Sequence, residues 1–310
     1  MLLNAILSLI MTIITPPSLK EGDKIAIVSP SGAVNAEYIH KAVPVLREQG
    51  WEPTVGEHAY DHHESYAGTA EVRYDDLRKA LLDPDIKAIM CSRGGYGAVH
   101  ILQQLDSLPL RDNPKWLIGF SDITILHALL AKNGIESIHG SMTSHLAKTG
   151  GEDDDSQALF DILRGTPITY EFPADHRNHQ GEATGRLYGG NLAVFDGLIG
   201  TPYDFFNQEG DIILFMEDVA EPVYKVERQM YQLKLMGVFD RIKGLIVGQF
   251  TEYPGAKAKE MEDMISRMVA DYDIPVAFDA PIGHVSHNIP LIEGRQSTLT
   301  VTPDGVTLQQ

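Results

Sequence analysis

The chain has 310 residues, about twice a typical domain, which points to two domains or one large α/β unit and excludes a disulfide-stapled miniprotein. Hydrophobic residues make up 43% and charged residues 22%, which supplies a core and excludes wholesale disorder. With 25 Lys and Arg against 43 Asp and Glu the net charge is −18, so neither nucleic acid nor an anionic membrane is an expected partner. The single cysteine, Cys91, rules out an intrachain disulfide or a multi-cysteine metal site.

Residues 1–15 open on an apolar run that is shorter than the roughly 20 residues of a membrane span. No Lys or Arg precedes it, and it runs into Pro16-Pro17 instead of a small-x-small cleavage site. It reads as a leader or as a tail ahead of a start at Met11, with export left open, and is set aside from the fold.

From Lys24, KIAIVSP reads as a buried strand, followed by Asn35 capping a helix over 36–49 that Gly50 closes and Pro44 interrupts. The pattern then predicts a helix over 70–82, a strand over 88–91, a helix over 97–105, a strand over 116–119, a helix over 123–131 and a strand over 135–138. Such alternation specifies a parallel sheet covered on both faces, here an α/β domain over residues 16–150.

The acidic stretch from Gly150 to Asp155 reads as a solvated connection opening a linker region, 151–180. Beyond it, strands over 168–172, 185–188, 212–216, 245–249 and 276–278 interleave with helices over 192–199 and 223–235. A hairpin, 297–302 and 306–309 around Pro303-Asp304-Gly305, closes a mixed domain over 181–310.

Three places have the makings of chemistry. The strand WLIG runs into Gly119-Phe120-Ser121-Asp122-Ile123, a strand-to-helix turn that would project the Ser121 hydroxyl past a strand end, beside helical N–H groups. Ile123 replaces the second glycine of the nucleophile elbow, and taken alone Ser121 reads more readily as a helix N-cap. The loop Cys91-Ser92-Arg93-Gly94-Gly95-Tyr96-Gly97 lets backbone N–H groups converge, which suits an oxyanion hole, although a tight turn needs the same glycines. In the second half, Glu217-Asp218 ends an apolar strand, and the loop Pro281–Asn288, with His284 and His287, follows the strand over 276–278. Singly, such acids and histidines are more often structural; together they supply the three roles of serine hydrolysis. His58, His62 and His63 read as a surface loop instead of a metal site, and Cys91 as a small core residue.

With these blocks in view, the chain resembles the serine-peptidase family of muramoyltetrapeptide L,D-carboxypeptidases and microcin C immunity proteins. The resemblance runs from Pro16 onward through Gly22–Ser31, Ser92–Gly97, Gly119–Thr124, Gly189-Gly190-Asn191-Leu192, Glu217-Asp218 with Glu221-Pro222-x-Tyr224, and Gly283-His284 with Asn288-x-Pro290-Leu291. It implies a flavodoxin-like or amidotransferase-like N-terminal parallel-sheet domain, a C-terminal α/β domain with its own sheet, an active site between them, and commonly a homodimer. It implies Ser121 as nucleophile, Glu217 as acid and His284 as base. The backbone N–H groups of Asp122 and Gly95 are the oxyanion-hole candidates, with Gly94 as the alternative glycine. The implied substrate is a cytoplasmic murein tetrapeptide cleaved before its terminal D-alanine, with no cofactor and no metal. Arg93 and Asn191 are candidates to read the free carboxylate, Arg93 being equally a salt-bridge former. The rival readings are microcin-type immunity, which cleaves an aminoacyl- or peptidyl-nucleotide amide, a non-catalytic binder of cell-wall peptides, and an α/β-hydrolase esterase.

Overall fold

The computed structural model describes residues 12–254 and 259–310. Most of the leading apolar run lies outside them. Its described end is part of the fold, because Ile14 bridges Ile135 in parallel and donates its N–H to the Gly134 carbonyl at 2.8 Å.

In the first half β1 (Lys24–Val28), β2 (Glu52–Val55), β3 (Ile86–Cys91), β4 (Trp116–Gly119) and β5 (Ser137–His139) alternate with α1 (Ala36–Glu48), α2 (Ala70–Leu82), α3 (Leu102–Leu105), α4 (Thr124–Lys132) and α5 (Thr143–Thr149). The expected cap of α1 is present: Asn35 accepts the Glu37 N–H at 3.0 Å, with Pro44 inside the helix. The helix expected over 97–105 is instead a 3₁₀ turn, Ala98–His100, followed by the short α3. Gly97, at φ +131°, turns the chain sharply, and Ile101 stands between the 3₁₀ turn and α3 as the N-cap of α3.

The stretch expected to be a solvated linker begins a helix, α6 (Asp154–Arg164). Asp153 is its N-cap, accepting the Ser156 N–H at 3.1 Å, and acids in a first turn suit the helix dipole as well as they suit solvent. Leu159, Phe160, Ile162 and Leu163 of α6 pack into the same core as β1 and β4.

The second half contains β6 (Thr169–Pro173), β7 (Gly181–Asn191), α7 (Leu192–Asp196), β8 (Ile212–Val219), α8 (Val223–Leu235), α9 (Val238–Arg241), β9 (Gly244–Thr251), α10 (Glu260–Val269), β10 (Val276–Ala277), β11 (Leu291–Glu293), β12 (Gln296–Val301) and β13 (Gly305–Gln309). The fold is α/β with two sheets. The first runs β11-β5-β4-β3-β1-β2 and is parallel except where β11, from the second half, pairs antiparallel with β5. The second runs β10-β9-β8-β7-β12-β13-β6, parallel from β10 to β7 and antiparallel from there on. The closing β12–β13 hairpin is present. By lending β11 to the first sheet, the second half ties the two units together and brings the preceding loop, with His284, across to them.

Candidate active site

β4 ends at Gly119, and two residues later Ser121 sits at φ +66°, a left-handed conformation costly for a residue with a Cβ. The strained turn is followed by a 3₁₀ segment, Ser121–Ile123, that feeds α4. Phe120 occupies the N-cap position of that segment, so the alternative of Ser121 as a cap is not what the fold uses. Its Oγ instead lies 3.1 Å from His284 Nε2.

His284 belongs to a loop closed by the Ile289 N–H on the Pro281 carbonyl at 2.9 Å. Its Nδ1 lies 2.7 Å from Oε2 of Glu217, a fully buried residue near the end of β8. Gly283, at φ +121°, is required there because a Cβ would stand 2.7 Å from that same oxygen. Burial alone would lower the His284 pKa, but the hydrogen bond and charge of Glu217 outweigh it and hold the imidazole above its ordinary value. The Phe120 ring packs edge-on against the imidazole at 5.0 Å. The three residues expected to meet across the halves of the chain are therefore in one hydrogen-bonded line.

The glycine loop lies against the serine. A Cβ on Gly94 would stand 2.8 Å from Ser121 Cβ and 3.1 Å from its Oγ, while Gly95, at φ +102°, faces Gly32. The Asp122 side chain turns inward, accepting from the Ser31 hydroxyl and from the Ala98 N–H at 2.8 Å. Burial raises its pKa, with those bonds opposing. Arg93 is exposed and donates to the Ala33 carbonyl at 2.6 Å. Asn191 is 4% exposed and committed internally: its Nδ2 donates to Asp218 at 2.9 Å and its Oδ1 caps α7 at Val194. The Asn191 N–H donates to Thr124 Oγ1 at 3.1 Å, fastening the end of β7 to the helix behind the nucleophile. Asp218 is buried, and that burial lifts its pKa to about 6, with the Glu217 charge adding to the rise.

His62 and His63 are exposed, and His58 pairs with Asp61 at 2.9 Å. Cys91 is buried, which pushes its thiol pKa up and leaves it unreactive. Among the described residues His145, Asp153 and Asp155 bring one ligand atom each within 4.8 Å of the others, a group able to take a cation. Those atoms already hydrogen-bond to one another and to neighbouring groups: His145 to Asp153, Asp153 to Ser156, and Asp155 to His287 and Asn288.

Two α/β units with a hydroxyl, an imidazole and a carboxylate in one hydrogen-bonded line give a two-domain α/β protein with the groups of a hydrolytic site. A model of the LD-carboxypeptidase N-terminal domain matches residues 25–140, and one of the LD-carboxypeptidase C-terminal domain matches residues 184–299; the chain belongs to the LD-carboxypeptidase family. It is 34% identical to a putative carboxypeptidase of Synechocystis sp., over 94% of this chain and 96% of the relative. It is 31% identical to the murein tetrapeptide carboxypeptidase of Pseudomonas aeruginosa, over 89% and 92%. The solved structure of an MccF-like protein from Bacillus anthracis superposes with a TM-score of 0.84 at 26% identity, covering 95% of this chain and 99% of that one.

Proposed function

We propose that the protein is a serine-type L,D-carboxypeptidase that hydrolyses murein tetrapeptides, releasing terminal D-alanine. The observation that carries this reading is the line Ser121 Oγ, His284 Nε2, His284 Nδ1, Glu217 Oε2, at 3.1 and 2.7 Å, together with a 31% identical relative named for that substrate.

In the first step His284 Nε2 takes the Ser121 proton as Oγ attacks the carbonyl carbon of the third residue, forming a tetrahedral oxyanion. Collapse of that intermediate expels D-alanine, whose amine takes the proton from His284, and leaves an acyl ester on Ser121. Water, deprotonated by the same imidazole, then hydrolyses the ester. Glu217 holds the tautomer with Nδ1 protonated and offsets the positive charge that His284 gains in each transition state. The Asp122 and Gly95 N–H groups are assigned to the oxyanion, each donor in comparable sites being worth ~3 kcal/mol of barrier. Packing Gly94 directly against the serine supports that loop as the second donor source. Arg93 is assigned to the substrate carboxylate, since it lies on the same loop and is exposed. Asn191 is assigned to support instead, because its amide is spent on Asp218 and α7.

The family resemblance extends the reading to a cytoplasmic homodimer; sedimentation of the purified protein tests the dimer, and cell fractionation tests the location. Among the described residues no helix is long and apolar enough to cross a membrane.

The likeness to the MccF-like protein keeps a second substrate class in play, the aminoacyl-nucleotide amides that the family resemblance implies, and a structure of the same fold, an MccF, is in complex with aspartyl sulfamoyl adenosine. Offering purified protein L-Ala-γ-D-Glu-meso-diaminopimelate-D-Ala and aspartyl sulfamoyl adenosine side by side separates them. Faster release of D-alanine is the expected result; preferential cleavage of the adenosine conjugate would move the protein to the immunity branch.

A further inference from the structure

We infer that Asp155 is a positioning residue for catalysis: from the first turn of α6 it clamps the loop that carries His284. This inference rests on the triad reading above. Asp155 is 4% exposed, and both its oxygens are directed at the loop. Oδ1 accepts from His287 Nδ1 at 2.8 Å and Oδ2 accepts from the Asn288 N–H at 2.8 Å. Asn288, 1% exposed, relays the hold, its Oδ1 accepting the N–H of Gly283 at 2.8 Å. Gly283 is the residue immediately before His284. The Tyr170 hydroxyl adds a bond to the Pro290 carbonyl on the far side of the loop.

The arrangement has a physical rationale. His284 must keep its Nδ1 on Glu217 and its Nε2 on Ser121 at once, although Ser121 and the loop come from opposite halves of the chain. A loop free to shift by about 1 Å would break one of those two bonds, and misplacement of that size costs on the order of 100-fold in rate. The buried carboxylate and the buried Asn288 N–H make a stiff anchor, since leaving that pair unbonded in the interior is expensive, while the bond to the solvent-exposed His287 ring adds less. The anchor comes from α6, whose apolar side is buried in the core of the first sheet, so the histidine loop is referenced to the same body as the nucleophile.

The test compares Asp155→Ala, Asp155→Asn and the exposed neighbour Asp154→Asn with wild type, reading kcat and KM for D-alanine release and the acid limb of kcat/KM. Asp155→Ala is expected to lower kcat by roughly 10- to 100-fold with KM within about twofold. Its acid limb should move to lower pH, because a displaced His284 loses the Glu217 bond that raises its pKa. Asp155→Asn keeps one acceptor oxygen and should fall between Asp155→Ala and wild type, and Asp154→Asn should match wild type. If Asp155→Ala does not fold, Asp155→Asn carries the test. A wild-type kcat in the Asp155 variants, or a loss of rate with the acid limb unmoved, would overturn the clamp while leaving the triad untouched. Ser121→Ala run in parallel separates the two claims: turnover there brings down the triad reading, and the clamp with it.

Discussion

Replacing Glu217 with Gln keeps the shape of the side chain and an oxygen to accept the His284 Nδ1–H, but removes the charge. In the structure that charge stands 2.7 Å from the imidazole in a fully buried position. A hydrogen bond to a charged group is worth ~1.5–3 kcal/mol, and a unit charge pair at about 4 Å in an effective dielectric near 20 is worth ~4 kcal/mol. These are overlapping measures of one interaction, strongest when His284 carries the serine proton, so the barrier should rise by roughly 2–4 kcal/mol. That corresponds to a kcat lower by about 30- to 10³-fold with KM little changed.

The pH profile should move as well. His284 works as a base only when neutral, so kcat/KM falls as pH drops through its pKa, which Glu217 holds above 6.5. Without the charge, burial is left to dominate and the limb should shift to lower pH. Steady-state D-alanine release measured across pH checks both effects. A rate within tenfold of wild type, or an acid limb that stays in place, would refute the assigned role of Glu217.

Gly94→Ala should lower kcat by roughly 100-fold or more while the protein remains folded, because the new Cβ would stand 2.8 Å from Ser121 Cβ and displace the nucleophile; steady-state kinetics beside circular dichroism check this. Two groups should make the protein less stable as pH rises. Asp218 has its folded pKa lifted to about 6, above the value of an unfolded Asp, so it loses stability between roughly pH 4 and 6, and His284, also raised when folded, loses its contribution as pH passes through its folded pKa. Urea unfolding at a series of pH values should show the decline, and Asp218→Asn should flatten its lower part. Chelators should leave turnover unchanged, since no step is assigned to a metal; loss with EDTA that zinc restores would contradict this.

The elements that could be read from the sequence were those whose own residues determine them. β4 and α2 coincide with their predicted ranges because an unbroken apolar run and a helically spaced apolar pattern need no partner to be recognised. β2, by contrast, is a four-residue edge strand with a proline in it, and β11 owes its place to pairing with β5 across the chain, which no local pattern records. The acidic opening of α6 misled for a definite reason: acids are equally at home in solvent and at a helix N-terminus, and only the packing of Phe160 and Leu163 decides. At the site, residue type and strand-end address offered a serine, a pair of acids and a loop with two histidines, the family resemblance singled out Ser121, Glu217 and His284, and the distances between them were not legible. The bonds Asn191 makes to Asp218 and α7 were not legible, because an amide next to a strand end looks the same in sequence whether it faces a cleft or caps a helix. Asp155 went unread because its partners lie more than a hundred residues away.

The central claim is that Ser121 is the nucleophile, and the direct measurement is D-alanine release from the murein tetrapeptide by Ser121→Ala, with folding verified by circular dichroism. The account predicts a folded protein in which release is abolished; turnover comparable to wild type in that variant would contradict it.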